Sequence, residues 1–161
     1  MSENNLKGFV SRFCCPSDAE AVICGSSSYP SIAGRIRFYQ TERGVLICAE
    51  INGLPDRSTP CRSGVFGFHI HSGRCCTGTA DDPFSDAKMH YNPQNLSHPY
   101  HAGDMPPLFS NCGYAFGIFL SDRFSVEEIT GRTVIIHLRP DDFTTQPSGN
   151  SGEMIACGQI R

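Results

Sequence analysis

Residues 32–51 alternate in a way that only a half-buried strand explains. In the stretch Ile32-Ala33-Gly34-Arg35-Ile36-Arg37-Phe38-Tyr39-Gln40, the apolar side chains Ile32, Ile36 and Phe38 fall on one parity. That is the pleat of a strand with one face buried. Thr41-Glu42-Arg43-Gly44 follows as a turn and Val45 to Ile51 as the returning strand, so the pair reads as a β-hairpin. Further short strands are expected at Glu20–Cys24, Val65–Ser72, Tyr114–Leu120, Thr133–Leu138 and Met154–Ile160. Only Val126–Ile129 reads as a helical turn. With 16 Gly and 11 Pro to make turns, the chain is confined to an antiparallel sandwich or barrel.

The length of 161 residues suits one domain with its own core. We expect an N-terminal extension over 1–17 and the domain over 18–161. A formal charge of -3, with no long run of either sign, gives no general argument for nucleic-acid or membrane binding. The opening residues MSENNLKGFVSRFCC lack a basic stretch followed by an apolar one, and no window approaches a membrane span. The expected address is the cytoplasm. Nine cysteines pull the other way, because disulfides are uncommon there. Cys24 and Cys48 sit in expected strands and read as small buried hydrophobes.

Residues 73–106 form a long irregular stretch, and a loop of that length inside a small domain calls for a function or a bound ion. All six histidines lie in this loop or on two of the strands: His69, His71, His90, His98, His101 and His137. In Phe66-Gly67-Phe68-His69-Ile70-His71, residues two apart share a face. His69 and His71 therefore project together, while Phe66, Phe68 and Ile70 face the other way. His137 ends the apolar run Val134-Ile135-Ile136, and the loop carries His90, His98, His101 and then Asp104. Taken singly, His137 reads as a surface or satisfied core residue rather than a ligand. Taken together, the set points to metal. Six imidazoles and a carboxylate suffice for two adjacent sites if one histidine is shared. An all-imidazole site suits tetragonal Cu(II), and a carboxylate biases its own site toward zinc.

The motifs GFHIH at 67–71, HYNP at 90–93, HAGDMP at 101–106, GRTVIIH at 131–137 and GNSGEMIACG at 149–158 resemble, in order and spacing, the copper-zinc superoxide dismutases. The resemblance runs from about Glu20 to the C-terminus. It implies an all-β fold, an eight-stranded antiparallel Greek-key β-barrel with long metal-binding loops. It also implies copper held by His69, His71, His90 and His137, and zinc held by His90, His98, His101 and Asp104, with His90 as the shared, proton-carrying ring. Asp141 would accept hydrogen bonds from His69 and His98. Cys157 would pair with a loop cysteine, Cys76 by spacing or Cys75 as the alternative. The implied reaction is dismutation of the superoxide anion to dioxygen and hydrogen peroxide, and a homo-oligomer is compatible with it.

One position departs from the family pattern. Where the family carries an arginine three residues before the final cysteine, this chain has Met154, flanked by Glu153. A thioether offers neither the charge nor the donor fork of a guanidinium, so reduced activity is expected. Arg139, two residues past His137, is a candidate substitute. The alternative function is a non-enzymatic copper or zinc buffer or transfer protein on the same fold, which the cysteines and Met154 would suit.

Overall fold

The computed structural model describes residues 15–55 and 64–161. Cys14, Cys61 and most of the expected N-terminal extension lie outside the described residues. Among the described residues, nine strands follow in chain order: β1 (Ala19–Gly25), β2 (Ala33–Thr41), β3 (Gly44–Asn52), β4 (Gly64–Phe66), β5 (Phe68–His71), β6 (Leu108–Asn111), β7 (Tyr114–Ser121), β8 (Thr133–His137) and β9 (Met154–Gln159). All pairings are antiparallel, in the order β4-β6-β7-β3-β2-β1-β9-β8-β5.

The two ends of that order are one stretch of chain. β4 pairs with β6 at one edge and β5 with β8 at the other, and only Gly67 separates them. At Gly67 the backbone changes edges. Its N–H donates to Arg139 O at 2.8 Å, and its carbonyl accepts from His137 N at 2.8 Å. The sheet therefore closes into a barrel. The expected eight strands become nine because the fourth is broken at this crossing. β3 lies beside β7, with β6 and β4 beyond, which is the Greek-key order.

The hairpin β2–β3 is as expected, with Thr41 opposite Gly44 and only Glu42 and Arg43 between them. Gly44 has φ of 121°, and a Cβ there would lie 2.3 Å from Ser121 O. The turn therefore requires glycine. Ile36 and Phe38 point inward to meet Ile23, Ile47, Ile51, Phe66, Phe68 and Ile70 in the core. Each such side chain contributes about 1.5–3 kcal/mol by leaving water.

The helical turn at Val126–Ile129 forms as expected (α1). Ser125 and Glu128 cap it reciprocally: Ser125 N donates to Glu128 Oε2 at 2.7 Å and Glu128 N to Ser125 Oγ at 3.3 Å.

The sequence reading missed β6. It is four residues long, follows two prolines, and turns Leu108 and Ser110 inward while Phe109 is exposed. Cys48 is buried as expected, in a small outer cluster with Tyr39 and Leu46. Cys24 is exposed, against expectation. Ala21 and Ile23 occupy the inward parity of β1, which leaves Cys24 on the outer face.

Candidate metal centre

β5 is buried on both faces, with Phe68 and Ile70 filling the barrel and His69 and His71 pointing outward beneath loops. The long loop folds back onto this strand. His71 pairs with His90 and His69 with Asp104 as isolated antiparallel bridges. Ile70 N donates to Gly103 O at 2.9 Å, and Tyr91 N to Ile70 O at 2.8 Å. A Cβ on Gly103 would lie 2.2 Å from Ile70 O, so only glycine lets the loop come this close. His137 arrives from the end of β8.

Two groups result. His69, His71, His90 and His137 form one, and His90, His98, His101 and Asp104 the other; in each, the ligand atoms lie within 4.8 Å of one another. Every histidine named from the sequence is brought in, and His90 belongs to both groups. All seven residues are buried.

Tautomers follow from the acceptors around each ring, because a carbonyl or a carboxylate can only accept. His71 Nδ1–H donates to Lys88 O at 2.7 Å, and His137 Nδ1–H to Gly152 O at 3.1 Å. Both Nε2 atoms therefore present lone pairs, and they face each other at 3.3 Å. His69 Nε2–H donates to Asp141 Oδ2 at 2.7 Å, and His98 Nε2–H to Asp141 Oδ1 at 2.9 Å. Their Nδ1 atoms, like His90 Nε2, are buried without a hydrogen-bond partner. Buried lone pairs that converge without donors are costly, unless a cation sits among them. The chain's residues fit two such cations. One would meet four imidazole nitrogens; the other would meet three nitrogens and the Asp104 carboxylate, displacing the proton that His90 Nδ1 donates to Asp104 Oδ1 at 2.8 Å.

The charges agree. Burial, reinforced by neighbouring imidazoles, lowers His69 to about 4 and His137 to about 3, and holds His71 well below the ordinary histidine value. These rings stay neutral and keep their lone pairs at physiological pH. Burial works against ionisation of Asp141. The hydrogen bonds from His69, Phe143 N and His98 outweigh it, and the carboxyl stays well below its usual range. Asp104 is lowered as well: burial opposes its charge, but hydrogen bonding and charge from His90 prevail.

The metal-free protein should therefore be acid-labile in a defined window. A histidine whose folded value lies below its unfolded value of about 6.5 binds more protons when unfolded. Stability is thus lost as pH falls from about 6.5 toward 4, on the order of 3 kcal/mol for His69 alone. The two aspartates, held low in the fold, add their loss below about pH 4. Urea midpoints of metal-free protein across this range measure the effect, and a flat profile between pH 4 and 6.5 would contradict the assigned tautomers.

Other contacts leave no signature in the sequence. Gln146 grips the main chain of His98 from both sides: His98 N donates to Gln146 Oε1 at 3.0 Å, and Gln146 Nε2 to His98 O at 2.7 Å. Arg123 Nη1 donates to the carbonyls of Pro99, His101 and Asp104 at 3.0, 3.2 and 3.4 Å. Cys76 and Cys157 form a disulfide across 81 residues, which settles the choice between Cys75 and Cys76. Cys75 is free and exposed.

A closed antiparallel barrel carrying two ligand clusters that share one imidazole is a β-barrel metalloprotein with a twin metal site. Residues 32–160 match the copper/zinc superoxide dismutase (SODC) family. The chain is 34% identical over 152 residues to a Cu-Zn superoxide dismutase of Legionella pneumophila, covering 89% of this chain and 87% of that one. It is 32% identical over 146 residues to Cu-Zn superoxide dismutase 2 of Aquifex aeolicus (strain VF5), covering 81% and 80%. The solved Cu/Zn superoxide dismutase of Brucella abortus shares the fold, with a TM-score of 0.75 at 24% identity over 89% of this chain and 100% of that one. The chain belongs to the copper/zinc superoxide dismutase family.

Proposed function

We propose that this chain is an enzyme that dismutes superoxide to dioxygen and hydrogen peroxide. The observation that carries this reading is the shared His90 between two buried ligand clusters, together with the family match over residues 32–160. His69 Nδ1, His71 Nε2, His90 Nε2 and His137 Nε2 would hold copper. His90, His98, His101 and Asp104 would hold zinc. When bound, copper supplies the one-electron couple that takes an electron from one superoxide and gives it to a second, and zinc supplies a fixed neighbouring charge. The protein fixes the lone pairs and the proton. Asp141 and the Lys88 and Gly152 carbonyls keep the ring protons of His69, His98, His71 and His137 on the far nitrogens. His90 Nε2, buried and without a hydrogen-bond partner, can hold a proton and pass it to the departing peroxide.

We further propose that turnover is slower than the fold allows. Met154 sits opposite His137 in the β8–β9 register and packs against the cluster around the disulfide, so no guanidinium extends from that position. Arg139 is exposed and donates from Nη2 to Asn150 Oδ1 at 3.3 Å. Met154→Arg is expected to raise kcat/KM by up to about tenfold, with a steeper fall as salt is added. Superoxide decay by loaded wild type and variant at several ionic strengths tests this. Equal rates and equal salt slopes would remove Met154 as the cause.

The domain is read as 18–161 and residues 1–17 as an extension. The formal charge of -3 gives no pull toward nucleic acid or membrane surfaces. Among the described residues no helix is long and apolar enough to cross a membrane. The outward row Tyr114, Phe116, Ile118 and Leu120 on β7 supports a homo-oligomer. The Cys76–Cys157 bridge supports an oxidising compartment rather than the cytoplasm. No observation favours the metal-buffer alternative over the enzyme.

A further inference from the structure

Cys24 stands beside the disulfide. In the β1–β9 ladder its register partner is Cys157, the buried half of the bridge. Glu20 and Arg161 exchange both main-chain hydrogen bonds, at 2.8 and 2.9 Å, and Ser26 N donates to Ile155 O at 2.9 Å. Hydrogen-bonded pairs recur at every second residue of such a ladder, so Cys24 and Cys157 form one too. Residues opposed in this way project to the same face, with Cα atoms about 5.5 Å apart. That lies within the span a disulfide bridges, roughly 4.4–6.8 Å. It is close to the 5.7 Å between the Cα atoms of Cys76 and Cys157.

The two neighbours reach Cys157 from opposite sides. Ile135 on β8 is its other register partner, and Cys76 packs into the cluster of Ile135, Cys157, Phe84 and Ala87. The loop carrying Cys76 is tied along β8, where Thr133 Oγ1 donates to Gly73 O at 3.3 Å and Arg132 Nη1 to Ser72 O at 3.2 Å. Cys24, on the β1 side, is a free and exposed thiol. Cys24 on the β1 side and Cys76 on the β8 side thus flank Cys157, as a thiol and a leaving group must for exchange at its sulfur.

We propose that Cys24, Cys157 and Cys76 form an internal thiol–disulfide exchange site. Cys24 gives its proton to solvent, and the thiolate attacks Cys157 Sγ. The Cys24–Cys157 bond forms as the Cys76–Cys157 bond breaks, and Cys76 leaves as a thiolate that takes a proton from solvent. No electron enters or leaves the protein. The exchange moves the anchor of Cys157 from the loop to the neighbouring strand. It unhooks the segment leading to Lys88, whose carbonyl accepts from His71 Nδ1 at 2.7 Å. It also leaves Cys76 as a free thiol next to Cys75.

The test maps disulfides in the full chain by peptide mass spectrometry after alkylation of free thiols. In Cys76→Ser, oxidised mildly with glutathione disulfide, Cys157 is expected to pair with Cys24. A free or glutathione-capped Cys157 would overturn the proposal. Because that variant also loses its native bridge, the wild type is held at a series of pH values and quenched with acid. There the Cys24–Cys157 peptide is expected together with alkylated Cys76. Its initial rate of appearance should rise as the pH is raised, because the thiolate is the attacking form. Absence of that peptide at every pH, or its appearance only in denaturant, would overturn the exchange.

Discussion

Replacing Asp141 by asparagine is expected to weaken both metal sites at once, each by about ten- to a hundredfold in affinity. The side chain touches neither set of ligand atoms. Its two oxygens instead accept one ring proton each, from His69 Nε2 at 2.7 Å and His98 Nε2 at 2.9 Å. Asparagine keeps one acceptor and turns an amide donor toward the other ring. The ring that meets the donor must move its proton to Nδ1, the atom that faces the cluster. One lone pair is then lost from the copper half or the zinc half, and the other ring loses a charge-assisted bond. Chelator competition with zinc and with copper reads the two sites separately. Asn is expected to be nearly as damaging as Ala, because the failure is one of proton placement rather than bulk. Unchanged affinity at both sites would mean that other contacts set the tautomers.

Loss of the disulfide is the second large effect. Cys157→Ser removes a bridge that spans 81 residues. In the chain-entropy account a loop of that size contributes about 4 kcal/mol, by restricting the unfolded chain. For a domain of this length that corresponds to a fall in Tm of roughly 8–16 °C. Paired metal-free samples, reduced and oxidised, should melt apart by that interval. The bridge also holds the loop that delivers the Lys88 carbonyl to His71, so weaker copper binding is expected alongside. A difference of only a degree or two would show that the loop is held without the bridge.

Much of this was legible in the residues, and the limits are physical. The H-x-H strand, the histidine loop and Asp104 could be read because side-chain parity and ligand chemistry leave few other uses for them. The hairpin at 41–44 followed from alternation alone. β6 did not, because four residues after two prolines carry almost no period. The break at Gly67 is a property of closure, since it appears only when both edges of the sheet meet the same chain. Cys24 was misread because β-strand membership was taken as burial, when the inward parity belonged to Ala21 and Ile23. Gln146 and Arg123 act on main-chain carbonyls and amides, which leave no mark in side-chain spacing. The same holds for the Lys88 and Gly152 carbonyls that fix two tautomers. Spacing already favoured Cys76 over Cys75 as the partner of Cys157, and that is the bridge the structure forms.

The most direct test of the central claim is pulse radiolysis of the full chain loaded with copper and zinc, with metal content fixed beforehand by elemental analysis. The account predicts one copper and one zinc per chain. It predicts superoxide decay proportional to loaded protein, with zinc bound but no decay beyond buffer when only copper is left out. Full loading of both metals with decay no faster than the metal-free chain would contradict the enzyme and leave a metal-holding barrel.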